Sequence, residues 1–203
     1  MPKAEGAQPR ETTVPDLEFE AVLRQASPAL SLALLIAQEA GLRLGTIVRL
    51  TGENLDFQNR RIHGRTKRMH RFDVPMTTRL YERLLWVVGN MTDPKQNILA
   101  QFRENQKPYG IDALEVQLRR ARERAKASSW CFHDIRRTTA RKLYDATKDI
   151  RKVQRFLGHA HLRTTFWYIG NQGIGLEASE IEQALERRAI HEKNRNFATG
   201  TSH

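Results

Sequence analysis

Apolar positions are densest between Leu30 and Ala37, where hydrophobic side chains fill almost every place. A run of that kind predicts a helix buried on all sides, with Ser27 as its cap and Pro28 in its first turn. Ahead of it, Leu17, Val22 and Leu23 mark the inward face of a first helix, with Thr13 read as its cap and Pro15 in its first turn. Short strands are expected over Leu55–Ile62 and Arg71–Val74, joined by a turn at Gly64–Met69. Thr78–Val88 reads as an amphipathic helix with Leu80, Leu84, Leu85 and Val88 inward. The loop-rich stretch 89–108 carries one buried segment, Ile98-Leu99-Ala100. Asp112–Lys126 reads as a helix with Asp112 and Glu115 as a capping pair. A helix from His133 to Ala146 buries Ile135, Ala140, Leu143 and Tyr144. A shorter one, Asp149–Leu157, buries Ile150, Val153 and Phe156 and stops at Gly158. After a hinge-like stretch, Gly170–Gly175, a last helix carries the stripe Ala178, Ile181, Leu185 and Ala189.

These elements amount to a mainly α fold with a small antiparallel β-sheet or hairpin. Residues 1–12 read as a tail or linker stub, 13–190 as one domain ending in the helix 176–190, and 191–203 as a frayed tail.

Charge narrows the functional classes. The 203 residues carry a net charge of +11, and the pI is about 10.3. Such an excess predicts attraction to a polyanion, with nucleic acid first and an anionic membrane surface second. The run from Leu30 to Ala37 is too short to span a bilayer, and the N-terminus shows no apolar signal core. One cysteine, Cys131, rules out an internal disulfide framework and fits a reducing cytoplasm. Cys131 itself reads as a small buried residue. Neither an ATPase-type glycine loop nor an acidic cluster for a two-metal site is seen, so neither cofactor nor metal is expected.

Candidate chemistry concentrates between His133 and Tyr168. His133 and Arg136 lie three apart, on one face of their helix. His159 follows the Leu157-Gly158 stop, and Tyr168 closes the stretch beside Trp167. Arginine can clamp a phosphate through two parallel hydrogen bonds. Histidine holds or moves a proton near neutral pH, and a tyrosine hydroxyl can act as a covalent nucleophile. Taken singly, each is as readily a surface pair or a packing residue; the ordered set is far more specific.

That set resembles the catalytic region of the tyrosine recombinase (phage integrase) family, which shows H-x-L-R, L-G-H and T-x-x-Y at close to these spacings. They stand here as His133-Asp134-Ile135-Arg136, Leu157-Gly158-His159 and Thr165-Phe166-Trp167-Tyr168, with Ile135 in place of the usual Leu. Gly41-Leu42-Arg43 resembles the segment carrying the family's first catalytic arginine. Three places later the family has an acidic residue and this chain has Thr46, which removes that supporting carboxylate. Without the resemblance, Arg43 would be read as a structural ion pair with Glu39 or Glu53. The family also uses a hairpin lysine shortly before a Val-Pro, and Lys67 stands at that distance from Val74-Pro75, with Arg65 and Arg68 as neighbours.

The resemblance implies a site-specific recombinase. Tyr168 would attack a DNA phosphate to give a 3′-phosphotyrosyl link, and Arg43 and Arg136 would bind its non-bridging oxygens. His133 would take the tyrosine proton or hold the phosphate, His159 would donate to the same group, and Lys67 would protonate the leaving 5′-oxygen. Neither ATP nor a metal would be required. The partners implied are double-stranded DNA and further copies of the chain in a tetramer, with no membrane and no small-molecule substrate. Arg65, Arg68, Arg119 and Arg122 are the other expected DNA contacts. Type IB topoisomerases use a similar residue set, and a DNA-binding protein of the same fold without cleavage is a third reading. The family's usual N-terminal DNA-clamping domain has no counterpart before Thr13. That is expected either of a catalytic fragment or of the small recombinases that invert fimbrial promoters.

Overall fold

The buried run after Ser27 is the axis on which the chain folds. The computed structural model describes residues 13–66 and 69–169. The order is α1 (Asp16–Gln25), α2 (Pro28–Glu39), the one-turn α3 (Leu44–Ile47), β1 (Leu55–Asp56), β2 (Arg61–Arg65), β3 (Arg71–Pro75), α4 (Thr78–Gly89), α5 (Ile111–Ala125), α6 (Phe132–Thr147), α7 (Ile150–Leu157) and α8 (Leu162–Ile169). Leu30, Leu32, Leu34 and Ile36 of α2 have no solvent exposure. The Ser27 hydroxyl caps the helix, accepting from the Leu30 N–H at 3.3 Å. Around α2 gather Phe19 and Val22 of α1, Leu80, Leu84 and Val87 of α4, Leu114, Leu118 and Ala121 of α5, and Ile135 of α6. The segment Ile98-Leu99-Ala100 is buried as its pattern predicts.

Several local expectations change. The inward face of α1 is Phe19, Val22 and Leu23, because Phe19 stacks on Trp130 at 6.3 Å, and this rotates Leu17 out to 87 % exposure. Thr13 does not cap α1. Pro15 holds the cap position without a side-chain bond, while Thr13 Oγ1 accepts from Arg141 and the Val14 N–H donates to Thr138 on α6. In α4 the 80/84/87 spacing selects Val87 rather than Leu85, which is 48 % exposed. Gly110, with no side-chain cap, precedes α5, so Asp112 and Glu115 form no capping pair.

The stretch 55–62 is not one strand. Asp56 accepts from the Asn59 backbone N–H at 2.9 Å and from its side-chain amide at 2.7 Å, which closes a turn. The chain returns as β2, giving an antiparallel sheet in the order β1-β2-β3 with Leu55 opposite Ile62 and Ile62 opposite Val74. The second turn contains Lys67 and Arg68, which lie outside the described residues.

At the other end α6, α7 and α8 pack on one another. Asp149 caps α7 through the Arg151 and Lys152 N–H groups, and Gly158, at φ +61°, ends it as the sequence suggests. A separate small cluster of Ala140, Val153, Leu157, Tyr168 and Ile169 fills this corner. The expected hinge at 170–175 and helix at 176–190 lie outside the described residues.

Candidate active site

Arg136 is the centre of the site. It lies on the buried face of α6, 2 % exposed. Its Nη1 donates to the Gly41 carbonyl, and its Nη2 donates to the Leu157 carbonyl at 2.6 Å and faces His159 Nε2 at 3.2 Å. One side chain thus ties the chain after α2 to the end of α7. Gly41 is required at this junction. It has φ +60°, and a Cβ there would stand 2.6 Å from the Phe156 ring.

No carboxylate compensates this guanidinium among the described residues, and its Nε has no hydrogen-bond partner. Burial, followed by the charge of Arg43, lowers its pKa to about 10, so it remains a cation at neutral pH. Arg43 sits at the start of α3, exposed and without an ion pair among the described residues. The expected structural pairing with Glu39 does not form. Glu39 instead accepts from Thr77 and lies 3.8 Å from Arg79. Arg136 is a buried charge, costly without a counter-charge, and Arg43 lies near enough to lower its pKa, so the pair is suited to binding an anion.

His133 stands at the mouth, one turn before Arg136 and Arg137 on α6. Its Nδ1 lies 3.3 Å from the Tyr168 hydroxyl. Partial burial, then the charges of Arg137 and Arg136, lower its pKa, which favours the neutral ring that can accept a proton. His159 is 6 % exposed and closes the floor. Burial and the nearby Arg136 and Arg43 push its pKa down to about 3.

Tyr168 comes from α8, within the same chain. It is 6 % exposed, and its ring lies edge-on to His133 and His159 at 5.0 and 4.7 Å. The guanidinium carbons of Arg136 and Arg137 are 5.7 and 5.9 Å from its centroid. The sequence-predicted Arg43, His133, Arg136, His159 and Tyr168 therefore converge. Lys67 falls outside the described residues. Arg137 also faces the tyrosine and was not singled out from sequence; its signal is the i,i+4 spacing to His133.

The remaining basic candidates divide. Arg65 is exposed at the end of β2, directly opposite exposed Arg71. Two like charges across a strand pair are unfavourable unless an anion lies near. Arg119 is exposed on α5 and 3.9 Å from Glu123. Arg122 serves the fold: it donates to the Ser128 carbonyl at 3.3 Å and lies over Trp130. Glu18 clasps the same loop, accepting from Ser128 N–H, Ser128 Oγ and Trp130 Nε1. Together they fix the approach to α6. Cys131 is not buried as expected. It is exposed at the start of α6, with its N–H and thiol turned to Asp134 at 2.9 and 3.2 Å. Partial burial of the sulfur raises its pKa, which makes it a poor nucleophile. Among the described residues no helix is long and apolar enough to cross a membrane.

Known proteins resemble this chain in sequence and in fold. A tyrosine recombinase XerC of Pseudomonas syringae pv. syringae is 28% identical over 131 residues, 64% of this chain and 44% of the relative. XerC of Pseudomonas savastanoi pv. phaseolicola is 27% identical over the same length. The chain thus spans less than half the length of these relatives. Among solved structures, XerA recombinase superposes with a TM-score of 0.69 at 18% identity, covering 92% of this chain and 66% of that one. A lambda integrase dimer bound to a COC' core site gives 0.67 at 18% identity, covering 86% and 52%. These likenesses establish the fold. The model of the phage integrase family matches residues 18–173, and with so much of its length matched the chain belongs to that family.

Proposed function

We propose that this protein is a site-specific DNA recombinase that cuts and rejoins double-stranded DNA through Tyr168. The observation that carries the reading is the Tyr168 hydroxyl, 3.3 Å from His133 Nδ1, beside Arg136, which faces no carboxylate among the described residues. A phosphodiester seated between Arg43 and Arg136 would present its phosphorus to the phenol. As the Oη–P bond forms, the phenolic proton passes to neutral His133, and the guanidinium groups stabilise the charge on the non-bridging oxygens. Lys67 supplies the proton to the departing 5′-oxygen. A 5′-hydroxyl from a second strand then attacks the phosphotyrosine and releases Tyr168.

The bond energy stays in the covalent link, so the exchange needs neither ATP nor metal. The 3.3 Å contact is long, and it tightens when substrate closes the site. Because Tyr168 reaches His133 of its own chain, each protomer cuts with its own nucleophile. Strand exchange between two duplexes then calls for four copies on DNA.

A nicked duplex from the DNA flanking the gene, incubated with EDTA and no ATP, tests this. The expected result is a covalent protein–DNA band on a denaturing gel, absent with Tyr168→Phe. DNA binding without any such band on flanking substrates would overturn the cleavage reading.

A further inference from the structure

His159 has a hydrogen-bond partner on each nitrogen, and the two partners differ in kind. On one side lies Arg136 Nη2, 3.2 Å from Nε2. A guanidinium only donates, so Nε2 must accept. On the other side Thr165 Oγ1, on a residue with no solvent exposure, lies 3.1 Å from Nδ1. The neutral ring therefore carries its proton on Nδ1 and donates it to the threonine. In that state His159 has no N–H to offer an anion held by Arg136.

We propose that the Thr165 hydroxyl sets the tautomer of His159, accepting from Nδ1–H in the free protein and donating to Nδ1 once a phosphodiester occupies the site, so that Nε2–H turns to the anion. The inference rests on the phosphodiester reading above. A second proton is the other route to an Nε2–H, and the surroundings oppose it. Arg136 and His133 face the ring from α6, Arg43 from the start of α3 and the Tyr168 ring from α8, while Gln154 of α7 bonds only the His159 carbonyl. These neighbours are cationic or neutral. One phosphodiester brings a single negative charge against two guanidinium groups, so the site stays positive when filled.

Moving the proton is then favoured over adding one. The Nδ1 proton leaves to water, water supplies one to Nε2, the hydroxyl rotates, and the proton count is unchanged. Only a group that both donates and accepts can serve both states, and a buried hydroxyl does so. Thr165 is thus a positioning residue acting through His159.

Nitrogen-15 NMR of the imidazoles in the full chain, titrated with dimethyl phosphate as a monoanionic probe, tests this. The free protein is expected to show His159 protonated at Nδ1, and the saturated protein protonated at Nε2 alone. Thr165→Val should weaken probe binding about tenfold, while Thr165→Ser stays within about twofold. A saturated complex with both nitrogens protonated, or with Nδ1–H retained, overturns the tautomer inference and leaves the anion site standing. A wild-type protein that never binds the probe overturns both. Because the spectra of the wild type decide the matter, a valine variant that fails to fold does not protect the proposal.

Discussion

The interior around α2 and the corner formed by α6, α7 and α8 are built on opposite principles. Around α2, aliphatic side chains from five helices and the sheet interlock with almost no polar group among them. Among the described residues the apolar cluster of the corner is only Ala140, Val153, Leu157, Tyr168 and Ile169. With that small cluster it holds a buried cation, two histidines and the Tyr168 hydroxyl. The first region gains stability from apolar area removed from water. The second gives some of that up to keep charges poised and unneutralised, and it leans on the first through α6 and the Gly41 carbonyl. The groups of the proposed site are therefore carried by the thinner part of the core and aligned by the thicker one.

The sharpest separation of the two should come from Tyr168→Phe. Covalent adduct should vanish entirely, while urea unfolding shifts by about 1 kcal/mol, because what is lost is the hydroxyl's long contact with His133 and its interaction with Arg136. Leu34→Ala should do the reverse, costing about 3–5 kcal/mol of global stability. Leu157→Ala, in the corner, should cost less, about 2–3 kcal/mol. In its hydrogen-exchange profile α8 should open well before α2. Equal protection of the two helices would break the contrast.

Arg43→Ala comes next. Strand cleavage should slow about 10²- to 10³-fold, as expected for losing one charge stabiliser. Melting temperature should hold or rise, because like-charge repulsion with Arg136 is relieved.

Acid supplies the mildest test. His159 has a folded pKa of about 3 against an ordinary 6.5, and His133 is shifted the same way. Below about pH 6.5 the unfolded chain takes up protons that the folded site refuses. For His159 stability is therefore full above 6.5 and falls as the pH drops toward 3, by up to about 1.4 kcal/mol per pH unit, and exposed His133 adds in the same direction. Urea titrations at pH 7.5 and 5 should show the loss, and His159→Asn should flatten it.

The comparison also explains what the sequence made legible. The α2 run, the Ser27 cap and the Gly158 stop are local signals, and the structure keeps all three. The residues of the site were readable because they fall in a fixed order. Less visible was which face of a marginal helix finds a partner: Leu17 and Leu85 belong to good periodic patterns, yet both stay exposed. Arg122 and Arg119 look alike along α5, and only the distant Ser128 and Trp130 make Arg122 a clasp. Glu18 gave no signal, and Thr165 showed only as the first residue of the motif ending in Tyr168, because their contacts depend on partners brought near by folding. The split of 55–62 into two strands turned on one carboxylate, Asp56, closing a turn.

Arg136 is anchored by the carbonyls of Gly41 and Leu157, both main-chain atoms. No side-chain replacement at either position can delete such an acceptor. The geometry of the reactive centre is therefore insulated from most drift in the surrounding sequence. Its fragile points are few: the glycine whose missing Cβ leaves room for Phe156, and the helix stop that presents the Leu157 carbonyl. Random mutagenesis scored for retained strand cleavage should find this lining tolerant of change nearly everywhere except at the proposed reactive side chains, Thr165, Gly41 and Gly158.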